Sequence, residues 1–158
     1  MWKYSWIAAA VTAADQLAKI LACRLTQPVV LIPGILGLTY AENTGMAFSM
    51  LAGQTWLLGV LSALLIAGGL LLVRKHELSR FSVCAVMMML GGAVGNMIDR
   101  FVHGYVVDMI EILAFRFPIF NVADTFLTIG CVMTAYALLF RRDDWREKHN
   151  GNTKGNDI

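Results

Sequence analysis

Long apolar stretches separated by short polar segments dominate the pattern of the chain. Three of these stretches carry no charged residue in their interior. Runs of roughly 20 apolar residues are typical of transmembrane helices. We therefore predict membrane spans at about 55–74, 80–98 and 122–140.

A fourth apolar stretch lies at the N-terminus, over about residues 3–23, and it contains charges. Asp15 and Lys19 are four residues apart, so they share one helical face and can pair. A cleaved signal peptide also starts with a basic residue and a short apolar run. Because apolar residues resume after Lys19, we predict a retained first span and keep the cleaved signal as the alternative.

Two segments between the predicted spans read as short strands. In the first, Val29–Ile32 and Gly37–Ala41 flank a proline-glycine turn, and in the second, Gly104–Ile110 is strand-like around one acid. Open sheet edges cannot lie in lipid. We therefore predict a small sheet at the membrane surface, where Phe48 and Met50 could dip into the bilayer.

The composition agrees with a membrane protein. Of 158 residues, 58% are hydrophobic and 15% are charged, whereas soluble domains have about 45–50% apolar and about 25% charged residues. This composition excludes a disordered chain. The net charge of +2 argues against a soluble nucleic-acid binder, and three cysteines do not make a disulfide scaffold.

The distribution of Lys and Arg predicts the orientation of the spans. Nine of the thirteen lie at the N-terminus, in the 74–80 loop and in the tail: Lys3, Arg74, Lys75, Arg80, Arg141, Arg142, Arg146, Lys148 and Lys154. The positive-inside rule then places both termini in the cytoplasm. The predicted fold is an all-α membrane domain over residues 1–142, with four spans and a small extracytoplasmic β element. The polar tail, 143–158, is expected to be disordered.

Two acids on the predicted outer side are candidates for chemistry. Asp108 and Asp124 each lie in an apolar run with no basic residue immediately beside them. If the loop folds back, the two carboxyls can meet, share a proton and act as base and acid on a water molecule. The alternative reading is that Asp124 caps a helix and Asp108 is an ordinary loop acid.

Other polar residues near the outer face have two readings each. Asp15 either pairs with Lys19 or contacts a substrate, because charges at membrane depth need a partner or a function. Asp99, beside Arg100, reads as a helix-end charge near water.

A group of amides and one guanidinium clusters toward the same face. These side chains could orient the acids or bind a substrate carbonyl, and interhelical hydrogen bonding is the alternative. The group consists of Asn43, Asn96, Arg100 and Asn121.

Five motifs, in this order on a chain of this length, resemble those of the bacterial lipoprotein signal peptidase family, also called signal peptidase II. They are Asp15-Gln16-x-x-Lys19, Glu42-Asn43-Thr44-Gly45-Met46-Ala47-Phe48, the segment from Gly91 to Arg100, Val106-Val107-Asp108 and Phe120-Asn121-Val122-Ala123-Asp124. The resemblance covers most of the chain and leaves out residues 143–158.

The resemblance implies a membrane-embedded aspartic endopeptidase with Asp108 and Asp124 as its catalytic dyad. Such enzymes cut the signal peptide from prolipoproteins just before a diacylglyceryl-modified cysteine. The positions that match substrate-binding or dyad-supporting residues are Asp15, Asn43, Gly45, Asn96, Arg100 and Asn121.

The same resemblance implies the setting of the enzyme. It places the protein in the bacterial inner membrane, in contact with lipid, with its active site at the periplasmic face. It implies no metal and no cofactor, and it implies inhibition by the cyclic peptide globomycin. No nucleic-acid partner is expected from the low net charge, and no oligomer is required, because a monomer suffices for one dyad.

Two other function classes remain open on the residues alone. One is a small proton-coupled transporter or channel subunit that uses Asp15, Asp108 and Asp124 as a relay. The other is a structural membrane partner whose polar residues only hold helices together.

Overall fold

The computed structural model describes residues 2–45, 50–141 and 145–147. Within these ranges the chain forms four long α-helices and five short strands. The helices are Ser5–Ala22 (α1), Thr55–Lys75 (α2), Arg80–Val102 (α3) and Val122–Phe140 (α4). The strands are Val29–Ile32 (β1), Leu36–Asn43 (β2), His76–Leu78 (β3), Val106–Ile112 (β4) and Trp145–Glu147 (β5).

All four predicted spans are helices, with bounds close to those expected. α2, α3 and α4 are long and apolar enough to cross a membrane. α1 falls outside that group, since Asp15, Gln16 and Lys19 lower its hydropathy. α3 continues to Val102, four residues beyond the predicted end at 98, because Asp99 is buried within the bundle rather than ending the helix in water.

α3 lies at the centre of the bundle and contacts each of the other three helices. Glycines make two of these contacts close. A Cβ added at Gly91 would lie 2.7 Å from the carbonyl oxygen of Ala8 in α1. A Cβ added at Gly130 in α4 would lie 2.7 Å from the carbonyl oxygen of Ala85. Small residues therefore bring the helix backbones together, as is common in membrane bundles.

The two loops with predicted strands join in one antiparallel sheet, in the order β1-β2-β4. Val107 and Met109 of β4 pack with Ala22 at the end of α1. This packing holds the sheet against the helices.

The register of β2 and β4 sets the position of one candidate acid. Asn43 pairs with Val106, and Ala41 pairs with Asp108. The end of β2 therefore runs beside the start of β4, which brings the side chain of Asn43 next to that of Asp108.

The other end of the bundle departs from the prediction. Trp145–Glu147 pairs with His76–Leu78 as a second antiparallel sheet, so the expectation of disorder is wrong for these three residues, because β3 at the end of α2 offers them a strand to pair with. The rest of the predicted tail lies outside the described residues. Phe48, one of the two residues predicted to dip into the bilayer, also lies outside the described residues. The other, Met50, is 62% exposed.

The outer surfaces of the helices are apolar. Large apolar side chains stand exposed along α2 and α4, among them Trp56, Leu64, Leu65, Val132, Leu139 and Phe140. A soluble protein rarely exposes so much contiguous apolar surface. The chain is a multi-pass membrane protein.

Candidate active site

A cavity of about 530 Å³ lies between α3, α4 and the sheet. Asp108 and Asp124 both line it. The lining contains both polar and apolar residues. The polar ones include the two acids with Asn43, Asn96 and Arg100, and the apolar ones include Ile112, Phe117, Ile119, Leu127 and Ile129.

Two amides hold the carboxyl of Asp108, which is only 2% exposed. The Nδ2 atom of Asn43 donates to its Oδ2 at 3.0 Å, and the Nδ2 atom of Asn121 donates to its Oδ1 at 2.7 Å. The amide of Asn43 is oriented in turn by the backbone N–H of Gly45, which donates to its Oδ1 at 2.9 Å. Asp108 therefore accepts hydrogen bonds at both oxygens.

Asp124 lies in the first turn of α4 but is not its N-cap. Asn121 is the cap: its Oδ1 accepts from the backbone N–H of Asp124 at 2.8 Å, and Oδ2 of Asp124 accepts from the N–H of Asn121 at 3.3 Å. This reciprocal pair is a capping box. The Oδ1 atom of Asp124 accepts from Nδ2 of Asn96 at 2.7 Å. The helix start fixes the backbone of Asp124, and Asn96 fixes its carboxyl.

Asn96 and Asn121 also connect the two acids. The Nδ2 atom of Asn121, which is fully buried, donates to Oδ1 of Asn96 at 3.1 Å. Asp108, Asn121, Asn96 and Asp124 thus form one continuous chain of hydrogen bonds from β4 to α4.

Burial raises the pKa of Asp108 to about 6, because a carboxylate loses solvation in the protein. The negative charge of Asp124 also raises this pKa, while hydrogen bonds from Asn43 and Asn121 and the positive charge of Lys19 lower it. A carboxyl that titrates near neutral pH suits acid–base chemistry.

A second, buried cluster lies behind the acids. Lys19 Nζ is 2.8 Å from Oδ2 of Asp15 and 2.9 Å from Oδ2 of Asp99. The predicted pair of Asp15 with Lys19 is present. The interpretation of Asp99 as a charge near water is wrong, because Asp99 is 1% exposed. It also accepts from Gln16 Nε2 at 2.9 Å and from the backbone N–H of Val107 at 3.1 Å.

Asp15 does not line the cavity. Its Oδ1 accepts from the backbone N–H of Ala123 at 2.8 Å. It therefore supports the start of α4. In the sequence, the spacing of Asp15 and Lys19 indicates only their pair, and the family resemblance is what puts Asp15 among the substrate-binding or dyad-supporting positions.

Arg100 lines the cavity with no acid as a direct partner among the described residues. Its Nη2 donates to the carbonyl of Gly45 at 3.2 Å and its Nη1 to the carbonyl of Asn96 at 3.4 Å. Its Nε is buried and has no hydrogen-bond partner within the part of the chain that the structure describes.

No group of three or more His, Cys, Asp or Glu residues in the described ranges is arranged to hold a metal ion. The polar side chains that line the cavity are acids, amides, a guanidinium and two threonine hydroxyls. They supply proton donors and acceptors.

The fold and the site together define a multi-pass membrane protein with a cavity that two acids line. Comparison with known families shows which protein family the chain belongs to. The family model of signal peptidase II matches residues 7–140. The chain belongs to this family of peptidases.

Individual relatives agree with the family. A lipoprotein signal peptidase of Streptococcus agalactiae serotype Ia is 38% identical over 144 residues, which cover 89% of this chain and 90% of the relative. A lipoprotein signal peptidase of Streptococcus thermophilus is 37% identical over 129 residues, covering 81% of this chain and 80% of the relative.

Solved structures agree as well. A bacterial membrane enzyme aligns with a TM-score of 0.84 and 28% identity over 100% of this chain and 95% of that one. A second bacterial membrane enzyme structure aligns with a TM-score of 0.80 and 30% identity over 89% of this chain and 94% of that one.

Proposed function

We propose that this chain removes signal peptides from prolipoproteins by cutting just before a diacylglyceryl-modified cysteine. Membership of the signal peptidase II family supports the reaction, and the names of the relatives support the substrate class. The observation that carries the mechanism is that Asp108 and Asp124 line one cavity and are joined through two asparagines.

The proposed reaction is hydrolysis by the two acids without a covalent enzyme intermediate. Asp108 and Asp124 share one proton, and the ionised member takes a proton from a water molecule. The water oxygen forms a bond to the scissile carbonyl carbon. The carbon–nitrogen bond then breaks, and the protonated acid gives its proton to the departing amine of the cysteine. The products are a signal peptide with a new carboxylate and a lipoprotein with a free N-terminal amine.

Arg100 and Asn43 are the proposed substrate contacts. The Nε atom of Arg100 is a buried donor without a partner among the described residues, and it can donate to a substrate carbonyl beside the acids. Asn43 lines the same cavity and keeps Asp108 in place. In a site that excludes water, such donors stabilise the negative charge that develops on the carbonyl oxygen.

We propose that α1 is a fourth span and that residues 1–142 form one membrane domain. The buried stripe of α1 contains Asp15 and Lys19, while Leu17, Ile20 and Leu21 on its other faces are exposed. This inverted pattern fits a helix with lipid outside and a polar network inside. With four spans, the excess of Lys and Arg supports a cytoplasmic position for both termini.

In this orientation the sheet and the cavity lie at the periplasmic face of the inner membrane. The cut in a prolipoprotein falls at the outer end of its signal helix, so this is the side where the bond is available. The apolar residues that line the cavity, which include Phe117 and Leu127, would suit a lipid-bearing substrate that enters from the bilayer. We propose globomycin as an inhibitor and no cofactor, as in the family that the sequence resembles.

The test is a cleavage assay with purified protein in detergent. The enzyme is mixed with a diacylglyceryl-modified prolipoprotein and, separately, with its unmodified precursor. Trimming of the modified form alone, blocked by globomycin, supports the proposal. Trimming of neither form by folded protein contradicts it, and proton flux in liposomes would then test a transporter.

A further inference from the structure

Lys19 is buried, each of its three N–H donors has an oxygen partner, and it does not line the cavity. A Lys ammonium has three N–H donors and no acceptor. Here the three donors meet three oxygens: Oδ2 of Asp15 at 2.8 Å, Oδ2 of Asp99 at 2.9 Å and Oδ1 of Asn96 at 2.9 Å. Lys19 itself is 3% exposed. The Nζ atom of Lys19 in α1 therefore contacts both Asp99 and Asn96 of α3.

Two of these partners each hold the backbone beside a dyad residue. Asp15 accepts from the N–H of Ala123, the residue before Asp124, at 2.8 Å. Asp99 accepts from the N–H of Val107, the residue before Asp108, at 3.1 Å. One ammonium therefore orients two carboxylates that fix the backbone at both acids.

The third partner controls a side chain that bonds directly to an acid. Because Lys19 can only donate, the amide of Asn96 must turn its oxygen toward Lys19. The Nδ2 atom of Asn96 then points to Oδ1 of Asp124 at 2.7 Å. The same amide oxygen accepts from Asn121, which donates to Asp108.

We infer that Lys19 is a positioning residue for both acids, acting through Asp15, Asp99 and Asn96. This inference rests on the proposed function only in taking Asp108 and Asp124 as the reacting pair. Since Lys19 does not line the cavity, its loss leaves the substrate contacts in place and disturbs the geometry of the acids. A displacement of a catalytic group by about 1 Å can lower the rate by about 100-fold.

The first experiment compares Lys19→Met with a matched control on the same pair of helices. Thr12 of α1 also bonds to α3, through the carbonyl of Gly91 at 2.9 Å, but this bond does not lead to the acids. With rates normalised to folded enzyme, Lys19→Met is expected to lower kcat by about 100-fold and to keep KM within about twofold. Thr12→Val should keep both constants. If Lys19→Met retains the kcat of Thr12→Val, the inference is overturned.

Lys19→Met leaves two buried carboxylates without their cation, which can prevent folding. The double variant Lys19→Met/Asp99→Asn removes one charge of each sign, and the amide oxygen that replaces the Asp99 carboxylate can still accept from Val107. The same loss of kcat is expected, because the contact to Asn96 is missing in both variants. Retention of wild-type kcat by the folded double variant also overturns the inference.

A crystal structure of the folded variant separates this inference from the proposed function. It is informative even if wild type cleaves no prolipoprotein, which would contradict the proposed function alone. We expect the amide of Asn96 to turn or move away from Asp124. If Asn96, Asp124 and Asp108 keep their positions without Lys19, the inference is wrong.

Discussion

The two halves of α3 contact the same neighbouring helices in different ways. In its first half, contacts with α1 and α4 are made by small residues, so that Gly91 meets Ala8 and Ala85 meets Gly130. In its last turns the contacts are polar and buried, through Asn96 and Asp99. The first half sets the distance between the helices, and the second half uses that distance for hydrogen bonds.

The two halves depend on each other through side-chain length. Asp and Asn are short, so they can bridge two helices only where the backbones are close. Gly95 shows this directly: a Cβ there would lie 2.5 Å from Oδ2 of Asp15. Close packing by glycine is therefore the condition for the buried polar network. If this comparison holds, changes in the polar half should act on the reaction and changes in the small-residue half on stability.

The largest expected effect is on the acids that the polar half holds. Asp108→Asn or Asp124→Asn should each lower kcat by about 10²- to 10⁴-fold, the usual contribution of a general acid or base, while the protein stays folded. Cleavage of lipidated precursor and thermal unfolding in detergent measure the two quantities on one sample. A single Asn variant with near wild-type turnover would contradict the dyad and leave Asp124 with only its role in the capping box.

A change at a close helix contact of the small-residue half should act on stability instead. Gly130 of α4 makes such a contact with Ala85 of α3. In Gly130→Ala the new Cβ would lie 2.7 Å from the carbonyl oxygen of Ala85 and 2.5 Å from Cγ of Met89. Overpacking of this kind costs about 1–3 kcal/mol. Unfolding in detergent should show this loss, with kcat per folded molecule unchanged.

Gly68→Ala is the matched control for that prediction, since a Cβ at Gly68 of α2 meets nothing within 4 Å. It should be neutral or slightly stabilising. Equal losses of stability in Gly68→Ala and Gly130→Ala would show that helix spacing is not what the glycine provides.

The smallest effect is expected outside α3, from Asn43→Ala at the end of β2. The hydrogen bond from Asn43 lowers the pKa of Asp108, which burial has raised to about 6. Without that bond the pKa rises further, so the carboxylate takes up a proton at higher pH. The acid limb of the kcat/KM profile should therefore move to higher pH, with a loss of about tenfold or less on that limb, as expected for one hydrogen bond.

The control for this prediction is the plateau of the same profile. At pH values well above the acid limb, the kcat/KM of Asn43→Ala should be closer to the wild-type value than at pH values on the limb. A limb that moves to lower pH would contradict the stated direction of the Asn43 contribution.

The sequence predicted the helices and strands well because those depend on local patterns. Uncharged apolar runs marked α2, α3 and α4 almost to their ends, and strand-like runs around a proline-glycine turn marked β1 and β2. The candidate acids were also visible, since a lone Asp in an apolar run stands out.

The buried network was not predictable in the same way. Lys19 contacts Asn96, which is 77 residues away along the chain, and Gln16 contacts Asp99, which is 83 residues away. No spacing rule connects such positions. For the same reason Asp99 looked like an exposed helix end, and Asp124, not Asn121, looked like a helix cap.

The central claim is that Asp108 and Asp124 act together on one water molecule. The most direct test is a single turnover with excess enzyme in water enriched in the heavy oxygen isotope, followed by mass spectrometry of the released signal peptide and of the enzyme. We expect one heavy oxygen in the new carboxylate of the signal peptide and none in the enzyme. Heavy oxygen in the side chain of Asp108 or Asp124 would show that a carboxylate attacks the substrate itself, and would contradict water attack assisted by the two acids.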